Sequence, residues 1–304
     1  MAGDRCSSVS DTSNAPTIMA TSNLNKPLRT VLITGCSDGG IGSALAQEFH
    51  ERGFHVFATA RSAAKMEHLG ELPSITLIEM DVESQSSIED AFKTLVASTG
   101  GGAGRLDYLV NNAGLNLNFP ALDTDLAYAK CLFDVNFWGM VHVTHTFMPL
   151  LISSKGTIVN NASLAGVLNV PWGSFYNASK AAVRMYSETL RVEVAPLGVK
   201  VVTIMTGIVA SKMFENTPHD ELPESSYYRA AGPNILETST GTKFASVAMP
   251  AVTYAKGVVG DVLRGHSGMT WRGKIASLGW FIHSFFPTWL SDLAFGSGSG
   301  LEKL

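Results

Sequence analysis

Cysteine is scarce in this chain: Cys6, Cys36 and Cys131 are the only three among 304 residues. They are scattered and odd in number. They form no C-x-x-C pair and have no histidine at metal-ligand spacing. That excludes a disulfide framework and a zinc module and fits reduced thiols. Charge is thin too, at 16% of residues with a net charge of -4, so no basic footprint for nucleic acid is present. No apolar run reaches, uninterrupted, the roughly 20 residues that a spanning helix needs. The greasiest stretch, 273–295, is broken by His283, Pro287 and Asp292. Residues 1–28 lack apolar periodicity and the apolar centre of a signal peptide. With Asp4 and Asp11 present and arginine sparse, they read as a disordered tail rather than a transit peptide. No unit repeats along the chain.

What is present is an ordinary globular composition, 45% hydrophobic. Thr30 to Thr34, T-V-L-I-T, is a β-branched run that reads as a strand. The glycine turn G-C-S-D-G-G-I-G follows from Gly35 to Gly42, and then a helical pattern that stops at Gly53. Strand, glycine turn and helix bring backbone N–H groups and the positive helix end against a diphosphate. Further strands are expected over Phe54–Ala60, Ile75–Glu79 and Leu106–Val110, with a helix over Ser86–Ser98. The alternation predicts an α/β fold, a Rossmann-like doubly wound parallel sheet with helices on both faces.

Arg61 ends the second strand, where sites that prefer NAD carry an acid for the ribose hydroxyls. A guidinium there can grip a 2′-phosphate, so the expected cofactor is NADPH. The other reading of Arg61 is a plain surface arginine. Asp81 and Val82 close the third strand, where a carboxylate can accept from an adenine amine. Ser163 ends the apolar run G-T-I-V-N-N-A-S. Tyr176 and Lys180 follow, four apart and so one turn apart on a helix that begins after Pro171. A phenol beside an ammonium makes a proton donor of lowered pKa. Y-x-x-x-K alone also fits a solvated helix face. Asn161-Ala-Ser and Asn177-Ala-Ser match the glycosylation spacing but fall in apolar core pattern, so we read them as chance.

Taken together, Thr34 to Gly42, Asn111 to Gly114 (N-N-A-G), Asn136, Ser163, and Tyr176 with Lys180 resemble the short-chain dehydrogenase/reductase family over roughly Leu28 to Leu263. The resemblance implies that Tyr176 donates a proton to a carbonyl oxygen that Ser163 also holds. It implies that Lys180 binds the nicotinamide ribose and lowers the Tyr176 pKa, and that Asn136 fixes a water leading to Lys180. The cofactor set it implies is Gly35, Ser37, Gly40, Ile41, Gly42, Arg61, Asp81, Val82, Asn112, Gly114, Tyr176, Lys180, Val209 and Ser211, with no metal. Two departures stand out. The glycine turn carries one extra residue, so that Asp38 and Gly39 should bulge outward. The family's Pro-Gly after the sixth strand is Thr206-Gly207. Asn118 to Asp123, Ser163 to Val167 and Met249 to Lys256 look like fungal-type NADPH-dependent 1-acyldihydroxyacetone-phosphate reductases. T-G-C-S also looks like steroid- and retinol-type members.

The expected organisation is a tail over 1–28, a catalytic domain over 29–270 with a substrate loop at about 208–250, and an apolar extension over 271–304. Leu164, Trp172, Phe175 and Met213 are candidate pocket walls or, equally, core. Lys212, Arg229 and Lys243 are the loop cations available to a substrate phosphate. The stretch 273–295 reads as a surface anchor or greasy lid, or else as a helix packed on the body. His142 and His145 lie one turn apart, without a carboxylate to complete a metal site. The expected activity is NADPH-dependent reduction of a ketone or aldehyde on an apolar molecule. A tailoring ketoreductase of specialised metabolism and a non-redox cyclase or isomerase are the alternatives. A homodimer or homotetramer is expected, placed in the cytoplasm, with peripheral endoplasmic-reticulum or lipid-droplet contact through 273–295 left open.

Overall fold

The computed structural model describes residues 28–99, 104–217 and 221–304. The expected tail falls outside them except for exposed Leu28. Seven strands form the sheet: β1 (Thr30–Thr34), β2 (His55–Ala60), β3 (Ile75–Glu79), β4 (Tyr108–Asn111), β5 (Thr157–Asn161), β6 (Lys200–Thr206) and β7 (Gly268–Arg272). Ten α-helices accompany them among the described residues: α1 (Ile41–Glu51), α2 (Glu67–Gly70), α3 (Gln85–Ser98), α4 (Leu126–Phe133), α5 (Met140–Ser154), α6 (Ser174–Val194), α7 (Gly232–Ser239), α8 (Ala251–Leu263), α9 (Ala276–Phe285) and α10 (Thr288–Gly296). The strand order is β3-β2-β1-β4-β5-β6-β7, and every pairing is parallel.

The period-2 alternation of each strand sorts its side chains between two cores. Val31 and Ile33 of β1 join Leu45 and Phe49 of α1 and Val258 and Val259 of α8 on one face. Leu32, between them, joins Leu95 of α3 and Phe147 and Leu151 of α5 on the other. Each fully buried side chain of this size contributes about 1.5–3 kcal/mol. With both faces covered, the strands read as continuous apolar runs. Strand order reverses between β1 and β4, and the crevice beyond their carboxyl ends is where such sheets bind ligands.

Three segments differ from the sequence expectation. β4 starts at Tyr108 because Asp107 is used as an anchor, its carboxylate accepting from the Thr30 N–H at 2.9 Å. The stretch 208–250 is not wholly irregular but contains α7. The stretch 273–295 folds into α9 and α10, broken at Pro287. Among the described residues no helix is long and apolar enough to cross a membrane.

Candidate active site

The glycine turn leaves β1 and enters α1 with its backbone bare. Gly35 has φ +75, and a Cβ there would lie 2.9 Å from the Ala113 Cα. A Cβ at Gly42 would run into the Gly35 carbonyl oxygen. Only glycine lets these segments approach so closely. No side chain caps Gly40 at the start of α1, so first-turn N–H groups remain for an anion. Asp38 and Gly39 bulge outward, as the extra residue requires, and are exposed.

A cleft of about 390 Å³ opens over this turn. Of the residues expected to hold the cofactor, Gly35, Ser37, Gly40, Ile41, Arg61, Asp81, Val82, Asn112, Gly114 and Ser211 line it. Gly42 does not; it sits behind the turn as a spacer. Val209 does not either. It is 8% exposed, pairs with Met249 as an isolated bridge, and packs into the α1/α8 core. Lys65, Asn116 and Lys212 also line the cleft, and sequence reasoning did not place them there; Met213, read as a candidate pocket wall, lines it too.

Ser163, Tyr176 and Lys180 lie beyond this cleft, at the carboxyl end of β5 and the first turns of α6. The Ser163 hydroxyl accepts from the Ala165 N–H at 3.1 Å, donates to the Thr206 carbonyl at 3.5 Å and lies beside the Tyr176 phenol. Burial pushes the Tyr176 phenol above its ordinary pKa, and the Ser163 hydroxyl beside it draws it partly back. Lys180 is 4% exposed, and burial lowers its ammonium from 10.5 to about 8. Its Nζ donates to the Asn161 main-chain oxygen at 2.9 Å and lies 5.9 Å from the Tyr176 ring centre. The expected lowering of Tyr176 by Lys180 is thus not what this geometry gives; Ser163 is the group that lowers it.

Asn136 sits in a π-helical turn, Asp134–Gly139, between α4 and α5. Such turns disturb the helical ladder and expose backbone groups. Its amide donates to the Leu115 carbonyl at 3.0 Å and to Ser179 Oγ at 3.1 Å. Asn136 therefore ties the segment after β4 to α6, next to Gly114, whose Cβ would lie 3.6 Å from Lys180 Nζ. Asn112 donates to the Thr34 carbonyl at 2.9 Å and accepts from Asn161 at 2.9 Å. Asn161 in turn accepts from Thr206, which is bonded to Tyr254. A buried polar line thus runs across the carboxyl ends of β1, β4, β5 and β6.

Two expected pocket walls are core instead. Leu164 packs with Leu168, Val183 and Met205, with Gly279 of α9 against it. Trp172 packs with Ala231 and Ile235 and donates to the Ser299 carbonyl at 2.9 Å. Each loop cation has a protein partner. Lys212 reaches Asp38 at 2.8 Å, Arg229 reaches the Pro223 carbonyl at 3.4 Å, and Lys243 reaches the Gly298 carbonyl at 3.0 Å. Of the two α5 histidines, His145 lies 3.5 Å from Tyr186 OH. Among the described residues no three metal-ligating side chains converge.

The profile of the family described as short chain dehydrogenase matches residues 29–222. Short-chain dehydrogenase ptmH of Penicillium ochrochloron is 46% identical over 274 residues, 90% of this chain and 99% of that protein. The NADPH-dependent 1-acyldihydroxyacetone phosphate reductase of Schizosaccharomyces pombe is 43% identical over 212 residues, 68% of this chain and 70% of that one. Among solved structures, a short-chain dehydrogenase from Streptomyces avermitilis superposes with a TM-score of 0.74 at 25% identity, covering 87% of this chain and 93% of that chain. Sheet order, glycine turn and the β5–α6 cluster agree with these matches, and the chain belongs to the short-chain dehydrogenase/reductase family of oxidoreductases.

Proposed function

We propose that this oxidoreductase reduces a ketone or aldehyde on an apolar, uncharged molecule, with NADPH as reductant. The observation that carries the reading is the grouping of Ser163, buried Tyr176 and buried Lys180 beside the glycine-walled cleft. That cleft fits a dinucleotide. Its bare backbone suits the diphosphate, and Arg61 and Lys65 at the β2 end suit a 2′-phosphate. The S. pombe relative, NADPH-dependent by name, supports the same choice. When bound, the reduced nicotinamide supplies a hydride. Ser163 and Tyr176 then hold the substrate oxygen, and Tyr176 gives it a proton. Lys180 and Asn136 fix the floor beneath them. A phenol kept protonated through neutral pH suits reduction rather than oxidation.

The substrate class follows from the cations. Arg229 and Lys243 are each held on a main-chain carbonyl, and Lys212 lies on the glycine turn on the cofactor side, which disfavours a phosphate-bearing substrate. The S. pombe relative supports a second reading, reduction of an acyl-dihydroxyacetone phosphate. NADPH consumption with that ester and with uncharged aryl and alkyl ketones separates the two, with Tyr176→Phe as control. Turnover of Tyr176→Phe within a few-fold of wild type removes the catalytic assignment. Tighter binding of NADH than NADPH removes the cofactor assignment.

We place the protein in the cytoplasm as a homodimer or homotetramer. Trp138, Met185 and Val192, on or beside α5 and α6, are exposed apolar residues that suit self-association. Exposed Trp280, Phe281, Phe285 and Trp289 on α9 and α10 suit peripheral lipid contact. Size exclusion and flotation with phosphatidylcholine vesicles test the two placements.

A further inference from the structure

The extra residue in the glycine turn is where the loop after β6 comes down. Asp38 and Lys212 are 174 positions apart, yet Lys212 Nζ donates to Asp38 Oδ2 at 2.8 Å. The Lys212 N–H donates to the Gly39 carbonyl at 3.3 Å. The lysine stem lies flat on Gly39: a Cβ there would fall 2.6 Å from Lys212 Cε, and Gly39 holds φ +70. The Asp38–Gly39 bulge is therefore shaped to receive Lys212. Asp38 and Lys212 both line the cleft over the uncapped start of α1.

A carboxylate is an odd neighbour for an anion site. Asp38 stands beside the N–H groups that suit a diphosphate, and its charge opposes one. The pair is exposed, Lys212 at 49% and Asp38 at 63%, so it exchanges readily with a better anion. Nearby, His68 Nδ1 lies 3.9 Å from Asp38 and His68 Nε2 lies 2.6 Å from Ser43 Oγ, so Asp38 has a second place to turn.

Resting on the dinucleotide reading above, we propose that Lys212 is a diphosphate-binding residue and that Asp38 is the partner it leaves when the cofactor enters. The ammonium moves from carboxylate to diphosphate while its main chain stays on Gly39. Lys212 contacts a part common to NADPH and NADH and so contributes nothing to the choice between them. That separates it from Arg61.

The test is a fluorescence titration of the full chain with NADPH and with NADH, for wild type, Lys212→Met and Asp38→Asn. Circular dichroism melts check that each variant is folded. Losing a charge-assisted contact should weaken both dinucleotides in Lys212→Met by about tenfold, with their ratio unchanged. Asp38→Asn should bind both as tightly as wild type or up to about threefold more tightly. Unchanged binding in Lys212→Met overturns the proposal. So does equal weakening in the two variants, which is what a merely structural strap gives. A wild type that binds neither dinucleotide overturns the dinucleotide reading and this inference together. Tight wild-type binding with an indifferent Lys212→Met overturns this inference alone.

Discussion

Lys180 donates to the main-chain oxygen of Asn161 at 2.9 Å, and its ammonium stands 5.9 Å from the centre of the Tyr176 ring. The cation is thus fastened to the sheet, to the last residue of β5, rather than to the phenol one turn before it. Its burial is a liability to folding that the proposed function explains. A group whose folded pKa lies below its unfolded one penalises the folded state while charged. The penalty is full below about pH 8 and disappears as pH rises through 10.5.

Lys180→Met should therefore stabilise the protein at pH 7 while abolishing turnover. A shift from 10.5 to about 8 corresponds to about 3 kcal/mol, and the lost bond to Asn161 offsets roughly 1 of it. Thermal melts at pH 7 and pH 10.5 check the sign. The advantage of the variant should be about 2 kcal/mol at the lower pH and shrink at the higher. A variant less stable than wild type at pH 7 contradicts the account.

The same titration should mark catalysis. The kcat/KM profile reports groups of the free enzyme. For carbonyl reduction it should be level through neutral pH and fall above about pH 8, as Lys180 loses its proton. Tyr176 should contribute no fall near neutrality, since burial holds its phenol above the ordinary value. A profile that is level to pH 10 would separate Lys180 from the rate.

Arg61 and Lys65 should set the choice between dinucleotides, because both line the cleft beyond β2. Arg61→Ala with Lys65→Ala should weaken NADPH by about 10- to 100-fold and leave NADH within about twofold. Direct binding of both dinucleotides measures this. Equal losses would mean that these cations do not meet the 2′-phosphate.

Much of this arrangement was readable from the chain, and the division has a physical cause. The glycine turn, the apolar strands and the Tyr176–Lys180 spacing are local, fixed by backbone sterics and by periods of 2 and 3.6 residues. What escaped was long-range. Lys212 on Asp38, Lys180 on Asn161 and Trp172 on Ser299 join residues remote in sequence, or use main-chain oxygens that carry no residue signature. Leu164 and Trp172 were open to two readings because an apolar side chain near a site looks the same whether it faces ligand or core. Lys65 was missed for a smaller reason: a lone lysine in a short 3₁₀ turn, Ala63–Met66, shows no periodicity.

Asp261 fastens β7 to α8. Burial acts on its carboxyl first, in the raising direction. Arg272, Thr270 and Arg264 outweigh burial and hold the carboxyl below its ordinary range. Asp261→Ala should cost about 2 kcal/mol, less than a fully buried pair because the arginine heads reach solvent. A carboxyl with depressed pKa stabilises fully above its unfolded value, near 3.9, and loses that contribution as pH falls through the folded value. The gap between variant and wild type in denaturant melts should be constant from pH 7 to about 5 and close below about 4. A gap that persists at pH 2 would assign the effect to packing.

The C-terminal residues should act on substrate rather than on cofactor. Trp172 has φ +68, a strained value for a tryptophan, four residues before Tyr176. It is held there by the Ser299 carbonyl at 2.9 Å and by an edge contact with Tyr228 at 5.4 Å. The same tail clasps α7, with Lys303 on Asn234 at 2.7 Å and Lys243 and Asn234 both on the Gly298 carbonyl. None of these contacts reaches the glycine turn. Removing residues 297–304 should release Trp172 and raise KM for the carbonyl substrate several-fold. The NADPH dissociation constant should stay within about twofold of wild type, and the melting temperature should drop by a few degrees. Paired titration and steady-state kinetics read the two constants separately. Weakening of NADPH in step with the substrate would show that the tail holds the whole site, not the substrate side alone.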